Sequence, residues 1–107
     1  RGLGDVYKRQ LHRLSNGQNL MTAFVDGVAF DQVICSNGSS TEAAYIATEC
    51  ALRFARAIGA RSVAIFTSSR HVVHQMNGYW RARKRATRRM RDRCRSLCDG
   101  MKVTFQF

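Results

Sequence analysis

The sequence predicts an α/β fold, a mixed β-sheet with helices packed on it. Three features carry this expectation. Two strand-like runs, Asn19–Val25 and Val28–Cys35, flank Asp26-Gly27. Asp-Gly between apolar runs is a strong hairpin signal, because glycine accepts positive φ without steric cost. A long stretch of helix formers then leads into the apolar run Val63-Ala64-Ile65-Phe66, which suits a buried strand. Near the end, Val103, Phe105 and Phe107 alternate with Thr104 and Gln106, the period of a further strand.

Taken in order, Ser15-Asn16-Gly17 is a turn signal, and Ser36-Asn37-Gly38 ends the second strand. Ser39 stands three residues before Glu42, the spacing of a capping box. A helix is predicted from about Ser40 to Ile58, supported by the Glu49/Arg53 pair at i,i+4 and by Gly59 as a C-terminal stop. Tyr45, Thr48, Leu52 and Ala55 share the face that would cover a sheet. Ser62–Thr67 is predicted as a buried strand without alternation, and Ser68 or Ser69 as the cap of a second helix ending near Asn77-Gly78. Residues 81–95 hold nine of the 18 Lys and Arg. Ala86, Met90, Cys94, Leu97 and Met101 recur at helical spacing here, predicting an amphipathic helix with a very basic outer face, stopped by Asp99-Gly100. The predicted order is β-β-α-β-α-α-β, with no internal repeat, no proline and no linker.

The 107 residues suffice for one domain with a modest core, and an apolar content of 45% argues against disorder. No apolar run reaches the roughly 20 residues of a membrane helix, and the first residues lack the apolar segment of a signal peptide. The net charge of +11 suits a polyanionic partner, nucleic acid before anionic membrane. Cys35, Cys50, Cys94 and Cys98 form no CxxC pair. Cys94 and Cys98, one helical turn apart, read as buried reduced thiols of a cytoplasmic protein rather than a zinc site.

The first ten residues stand apart. Asp5-Val-Tyr-Lys-Arg-Gln10 back-translates to GAT GTG TAT AAG AGA CAG, which resembles a transposon end used in sequencing libraries. Residues 1–10 are therefore expected to be translated adapter, and residues 11–107 a partial native domain.

From Thr41 to Tyr79 the chain resembles the ribonuclease H type 1, or reverse-transcriptase-like, family. Thr41-Glu42-Ala43-Ala44-Tyr45 resembles the family's Asn-Glu-Ala-Glu-Tyr at the start of its first helix. The Val63 strand, Val72-Val73 and Asn77-Gly78 follow in the family's register, and the resemblance extends over about Asn19 to Phe107. It implies a ribonuclease H-like mixed sheet lacking the first strand and the last helix. A missing first strand would leave a sheet edge open to pairing between chains. The resemblance also implies Mg²⁺-dependent hydrolysis of the RNA strand of an RNA–DNA hybrid, with four carboxylates holding two ions.

Those acids are not carried over. The helix Glu falls on Ala44 and the strand-end Asp on Ser68, while the outer two fall outside the chain. Glu42 and Glu49 lie about 200° and 140° round the helix from Ala44 and cannot replace it. No Asp or Glu occurs between Glu49 and Asp92, and a serine hydroxyl is a weak ligand for Mg²⁺. Phe24-Val25-Asp26-Gly27 resembles the family's first-strand Asp-Gly-Ser motif. Only 18 positions separate Asp26 from Ala44, too few for two further strands, so Asp26 reads as a turn residue. No metal or cofactor is expected on this chain, although active family members use Mg²⁺.

The resemblance and the charge together predict a nucleic-acid-binding domain without catalysis, its partner an RNA–DNA hybrid or RNA. Arg81, Arg83, Lys84, Arg85, Arg88 and Arg89 would contact phosphates where some relatives carry a basic helix. Trp80, with Tyr79, suits either stacking on sugar or base or closure of the core over the second helix. His71 and His74, at i,i+3, read as solvent-facing helix residues. Two alternatives remain at this stage: an active hybrid-cleaving nuclease in a longer parent, and a scaffold whose basic helix docks an acidic protein.

Overall fold

A computed structural model describes residues 19–35 and 41–107; for 19, 20 and 29–35 only the strand backbone is considered. The turn at Ser15-Asn16-Gly17, the stop at Ser36-Asn37-Gly38, the Ser39 half of the capping box, the Cys35 thiol and the segment 1–10 lie outside these limits. The elements run β1 (Asn19–Val25), β2 (Val28–Cys35), α1 (Thr41–Ala57), β3 (Ser62–Thr67), α2 (Arg70–Met76), α3 (Arg85–Leu97) and β4 (Lys102–Gln106). This is the predicted order.

The hairpin forms because both turn residues accept positive φ: Asp26 at 51° and Gly27 at 85°. Such a turn matches the twist of the flanking strands. Pairing runs from Val25 opposite Val28 to Asn19 opposite Cys35, with a bulge on β2 between the partners of Ala23 and Phe24. The Asp26 carboxylate also fastens the hairpin tip to β3. Its Oδ1 accepts from the backbone N–H groups of Arg61 and Ser62, each at 2.9 Å, and the Asp26 N–H donates to the Ser62 carbonyl at 2.9 Å. Asp26 is thus a turn residue, as its spacing implied. The Ser62 and Arg61 backbone donors hold its carboxyl below the usual range.

The sheet order is β2-β1-β3-β4. β1 pairs antiparallel with β3, from Met21 opposite Thr67 to Val25 opposite Val63, and β3 pairs parallel with β4. The sheet is therefore mixed, as predicted. β1 closes directly on β3, so the open edge expected from a missing first strand does not occur between them. Burial on β3 alternates, with Val63, Ile65 and Thr67 buried and Ala64 and Phe66 half-buried. This corrects the expectation of a uniformly buried strand. The second face of β3 instead meets Phe24, whose ring stands edge-on to Phe66 at 5.6 Å and 89°.

The core lies on the other face. Met21, Ala23 and Val25 of β1 join Val63, Ile65 and Phe105 beneath Ala44, Tyr45, Ala47, Ala51, Leu52 and Ala55 of α1. The predicted face of α1 (Tyr45, Thr48, Leu52, Ala55) is fully buried. Its alanines let the helix lie close to the sheet and to α3. At its end, Ala60 N–H bonds the Ala55 carbonyl at 2.9 Å and Gly59 N–H the Arg56 carbonyl at 3.1 Å. These are the two bonds of a Schellman motif with Gly59 at φ 71°. Arg56 donates to the carbonyls of Leu97 and Asp99, satisfying acceptors at the end of α3.

Two outcomes follow. Leu52→Ala opens a cavity in the sealed core and lowers unfolding free energy by about 2–5 kcal/mol in a denaturant titration. For Asp26, the folded carboxyl titrates below its unfolded value of 3.8, so its contribution is present above that pH and is lost as pH falls through the folded value. The Tm gap between wild type and Asp26→Asn is therefore open at pH 7 and narrows below about pH 3.8.

Candidate nucleic-acid interface

The candidate interface begins at the end of α2. Ser69 caps this helix, its Oγ accepting from the Val72 N–H at 3.4 Å; Ser68 lies half-buried between β3 and that cap. Asn77 closes α2, and Gly78 at φ 84° reverses the chain. The N–H groups of Tyr79 and Trp80 then both donate to the His74 carbonyl, at 2.8 and 3.1 Å. This folds the two aromatics back over α2. The Trp80 ring lies 4.3 Å from His74 at 36° and 5.3 Å from His71 at 75°. Tyr79 and Phe107 approach His74 edge-on at 6.2 and 5.2 Å, and the Arg70 guanidinium sits 5.7 Å over the Phe107 ring.

His74 is thus the centre of an aromatic cluster and not a solvent-facing residue; His71 is exposed as expected. Phe107, read as the last residue of the final strand, lies beyond β4 and joins this cluster. Tyr79 and Trp80 are 77% and 44% exposed, so they coat α2 while keeping surface for a ligand.

One buried residue fixes the segment that follows. The Tyr45 hydroxyl of α1 donates to Gln75 Oε1 at 2.8 Å, and Gln75 Nε2 donates to the Arg81 carbonyl at 3.5 Å. The Gln75 carbonyl accepts from Arg95 of α3 at 3.2 Å. Burial pushes the Tyr45 phenol up, so it stays a donor.

Residues 81–84 are not helical, which corrects the prediction of a helix through the whole basic run. Ala82 points into the protein while Arg81 and Arg83 point out. Arg88 donates to the carbonyls of Arg83 at 2.7 Å and Ala82 at 3.4 Å, so part of its role is to hold this loop. The inner stripe of α3 is Thr87, Met90, Cys94 and Leu97; Ala86 is exposed. Spacing from Met90 admits either Ala86 or Thr87 on this stripe; the apolar Ala86 was expected there, and Thr87 takes the place.

A cleft of about 840 Å³ lies between the start of α1, α2 and this loop. Trp80, Arg81, Arg83 and Lys84 line it together with Glu42, His71 and Tyr79. Arg85 and Arg89 continue the exposed basic surface on α3. Among the described residues, none of Arg81, Arg83, Lys84, Arg85 and Arg89 forms an ion pair. Farther along, Arg91 pairs with Asp92 at 2.9 Å and Arg93 with Glu49 at 3.7 Å. The first turn of α3 has no acid, and Lys84 gives it no side-chain cap. A helix N-terminus without a side-chain cap and several exposed cations thus converge, where an anion is stabilised. Glu42 and the His74 cluster were not singled out as binding residues from the sequence. The available signal was Asn77-Gly78, which sends Tyr79-Trp80 back along the helix carrying the two histidines.

The positions onto which the resemblance carried the family's acids look different. Ala44 is 2% exposed within the apolar core. Glu49 is held by Arg53 at 2.8 Å. Among the described residues, no group of three or more His, Cys, Asp or Glu could hold a metal ion, and no helix is long and apolar enough to cross a membrane. Cys94 is buried and its thiol is pushed up to about 12 by desolvation; burial likewise raises Cys98. Cys98 is half-buried and Cys50 is exposed. A thiolate-specific reagent at pH 8 should therefore label Cys50 rapidly and Cys94 only after denaturation; equal labelling rates would refute the burial of Cys94.

The model of the reverse transcriptase-like family matches residues 20–107. No curated protein and no solved structure matches the chain. The match spans most of the chain, and it agrees with the β-β-α-β-α-α-β order and the mixed sheet. The chain belongs to the reverse transcriptase-like family, and its domain is ribonuclease H-like.

Proposed function

We propose that this domain binds nucleic acid, as an RNA–DNA hybrid or RNA duplex, on the surface running from Trp80 to Arg89, and that it does not hydrolyse it. The observation that carries this reading is the set of exposed cations Arg81, Arg83, Lys84, Arg85 and Arg89, which have no ion-pair partner among the described residues, beside an exposed tryptophan and an acid-free helix start. Cations grouped in this way repel one another and favour a polyanion that neutralises several at once. A net charge of +11 adds long-range attraction of the same sign. Family membership supports nucleic acid as the polyanion.

The absence of hydrolysis rests on Ala44 and Ser68. Two-metal hydrolysis needs carboxylates that face the scissile phosphate. Ala44 instead belongs to the core, where a carboxylate would lose its hydration without a partner. Neither Glu42 nor Glu49 shares its helical direction.

The salt dependence of hybrid binding tests the reading. About five phosphate contacts give a slope of log K against log salt of roughly −4 to −5, a several-hundred-fold loss of affinity between 50 and 200 mM salt. Arg83→Glu with Lys84→Glu should lower the slope by about two. An affinity for the hybrid that stays level across this range would rule out the phosphate handle.

A further inference from the structure

Glu42 is an electrostatic misfit in its cleft. It is exposed on the first turn of α1 and lines the same space as Arg81, Arg83 and Lys84. Among the described residues it forms no ion pair with any of them. A site for phosphate alone gains nothing from a carboxylate, which repels the ligand. The same wall carries Trp80, packed on His74 at 4.3 Å and still 44% exposed, and Tyr79 at 77%. The 840 Å³ available is within the range of sites for small organic ligands and can admit one nucleotide.

Resting on the nucleic-acid reading above, we propose that this cleft takes one unpaired guanine at the end or in a loop of the bound strand. The base stacks on Trp80, Glu42 accepts from its edge, and Arg81, Arg83 and Lys84 hold the flanking phosphates. The choice of base follows from donor geometry. Guanine presents N1–H and N2–H side by side, matching the two oxygens of a carboxylate. Adenine and cytosine set one amino group beside a ring acceptor, and uracil sets one N–H between two carbonyls; in each case an acceptor faces the carboxylate. These guanine donors are engaged inside a duplex, so the base must be unpaired to offer them, and unpaired bases are also the ones with faces free for aromatic stacking.

The test is the affinity of the whole chain for three hybrids: blunt, with a two-nucleotide overhang carrying guanine, and with one carrying uracil. Stacking of one base should make the guanine overhang bind roughly 5- to 100-fold tighter than the blunt hybrid. The guanine-to-uracil ratio should be about tenfold and fall to about twofold in Glu42→Gln, since a charged acceptor gives way to a neutral one. The ratio is the proper readout, because removing a negative charge raises affinity for every strand. Trp80→Ala should abolish the preference for either overhang over the blunt end. Equal binding of blunt and overhanging hybrids, or an unchanged ratio in Glu42→Gln, overturns the proposal while steep salt dependence leaves the nucleic-acid reading standing. Failure of all three hybrids to bind overturns both. Displacement of the guanine overhang by an equal concentration of free GMP would also overturn it, by making the ligand a mononucleotide.

Discussion

The buried hydrogen bond from Tyr45 to Gln75 sets where the proposed interface stands. Both side chains are buried, at 0% and 4% exposure, so neither can exchange its partner for water without opening the core. Through that bond α1 is tied to α2, and through the other end of the same amide α2 is tied to Arg81, the first cation of the loop. Arg95 adds α3 at the Gln75 carbonyl. A loop of alternating arginines would otherwise spread to separate its charges. Gln75 and Arg88 hold its backbone instead, so the repulsion between side chains is retained for a ligand to relieve.

The same packing supports the proposal that the domain binds without hydrolysis. α1 reaches the sheet through a face of alanines, with Ala44 among them and Thr48 donating back to the Ala44 carbonyl at 2.9 Å. Ala44 is only 2% exposed on that face. Two acids are engaged elsewhere: Glu49 balances Arg53 and Arg93, and Asp26 accepts from backbone N–H groups at the foot of β3. Basic side chains and aromatics lie at the surface while Ala44 lies in the core, an arrangement in keeping with the proposed binding without turnover.

Much of the fold was legible in the sequence because its signals are local. Asp26-Gly27, Gly59, Ser69 and Asn77-Gly78 each impose a backbone geometry through one or two residues, and every strand and helix they bound was found. What was not legible depends on phase or on distant contacts. Ala86 and Thr87 stand four and three residues before Met90, so spacing admits either on the inner face; apolarity favoured Ala86, and packing places Thr87 inward. The strand Ser62–Thr67 looked uniformly buried because Ala64 and Phe66 are apolar, yet their face is only half covered. The basic run could be read from the sequence, but its division into Arg88 and Arg95, bonded to backbone carbonyls, and Arg81, Arg83 and Lys84, facing a cleft, could not. Nor could the place of His74 among Tyr79, Trp80 and Phe107, which follows from the chain reversal at Gly78 and the return of β4.

Binding without hydrolysis is the central claim, and one measurement addresses it directly. The domain is mixed in excess with an RNA–DNA hybrid labelled on the RNA strand, at low salt with Mg²⁺, and the bound fraction and the length of the RNA are followed in the same samples. The account predicts a saturated complex in which the RNA stays at full length for as long as the complex persists. Mg²⁺-dependent shortening of the RNA in that complex, with Ala44 and Ser68 in place, would contradict it.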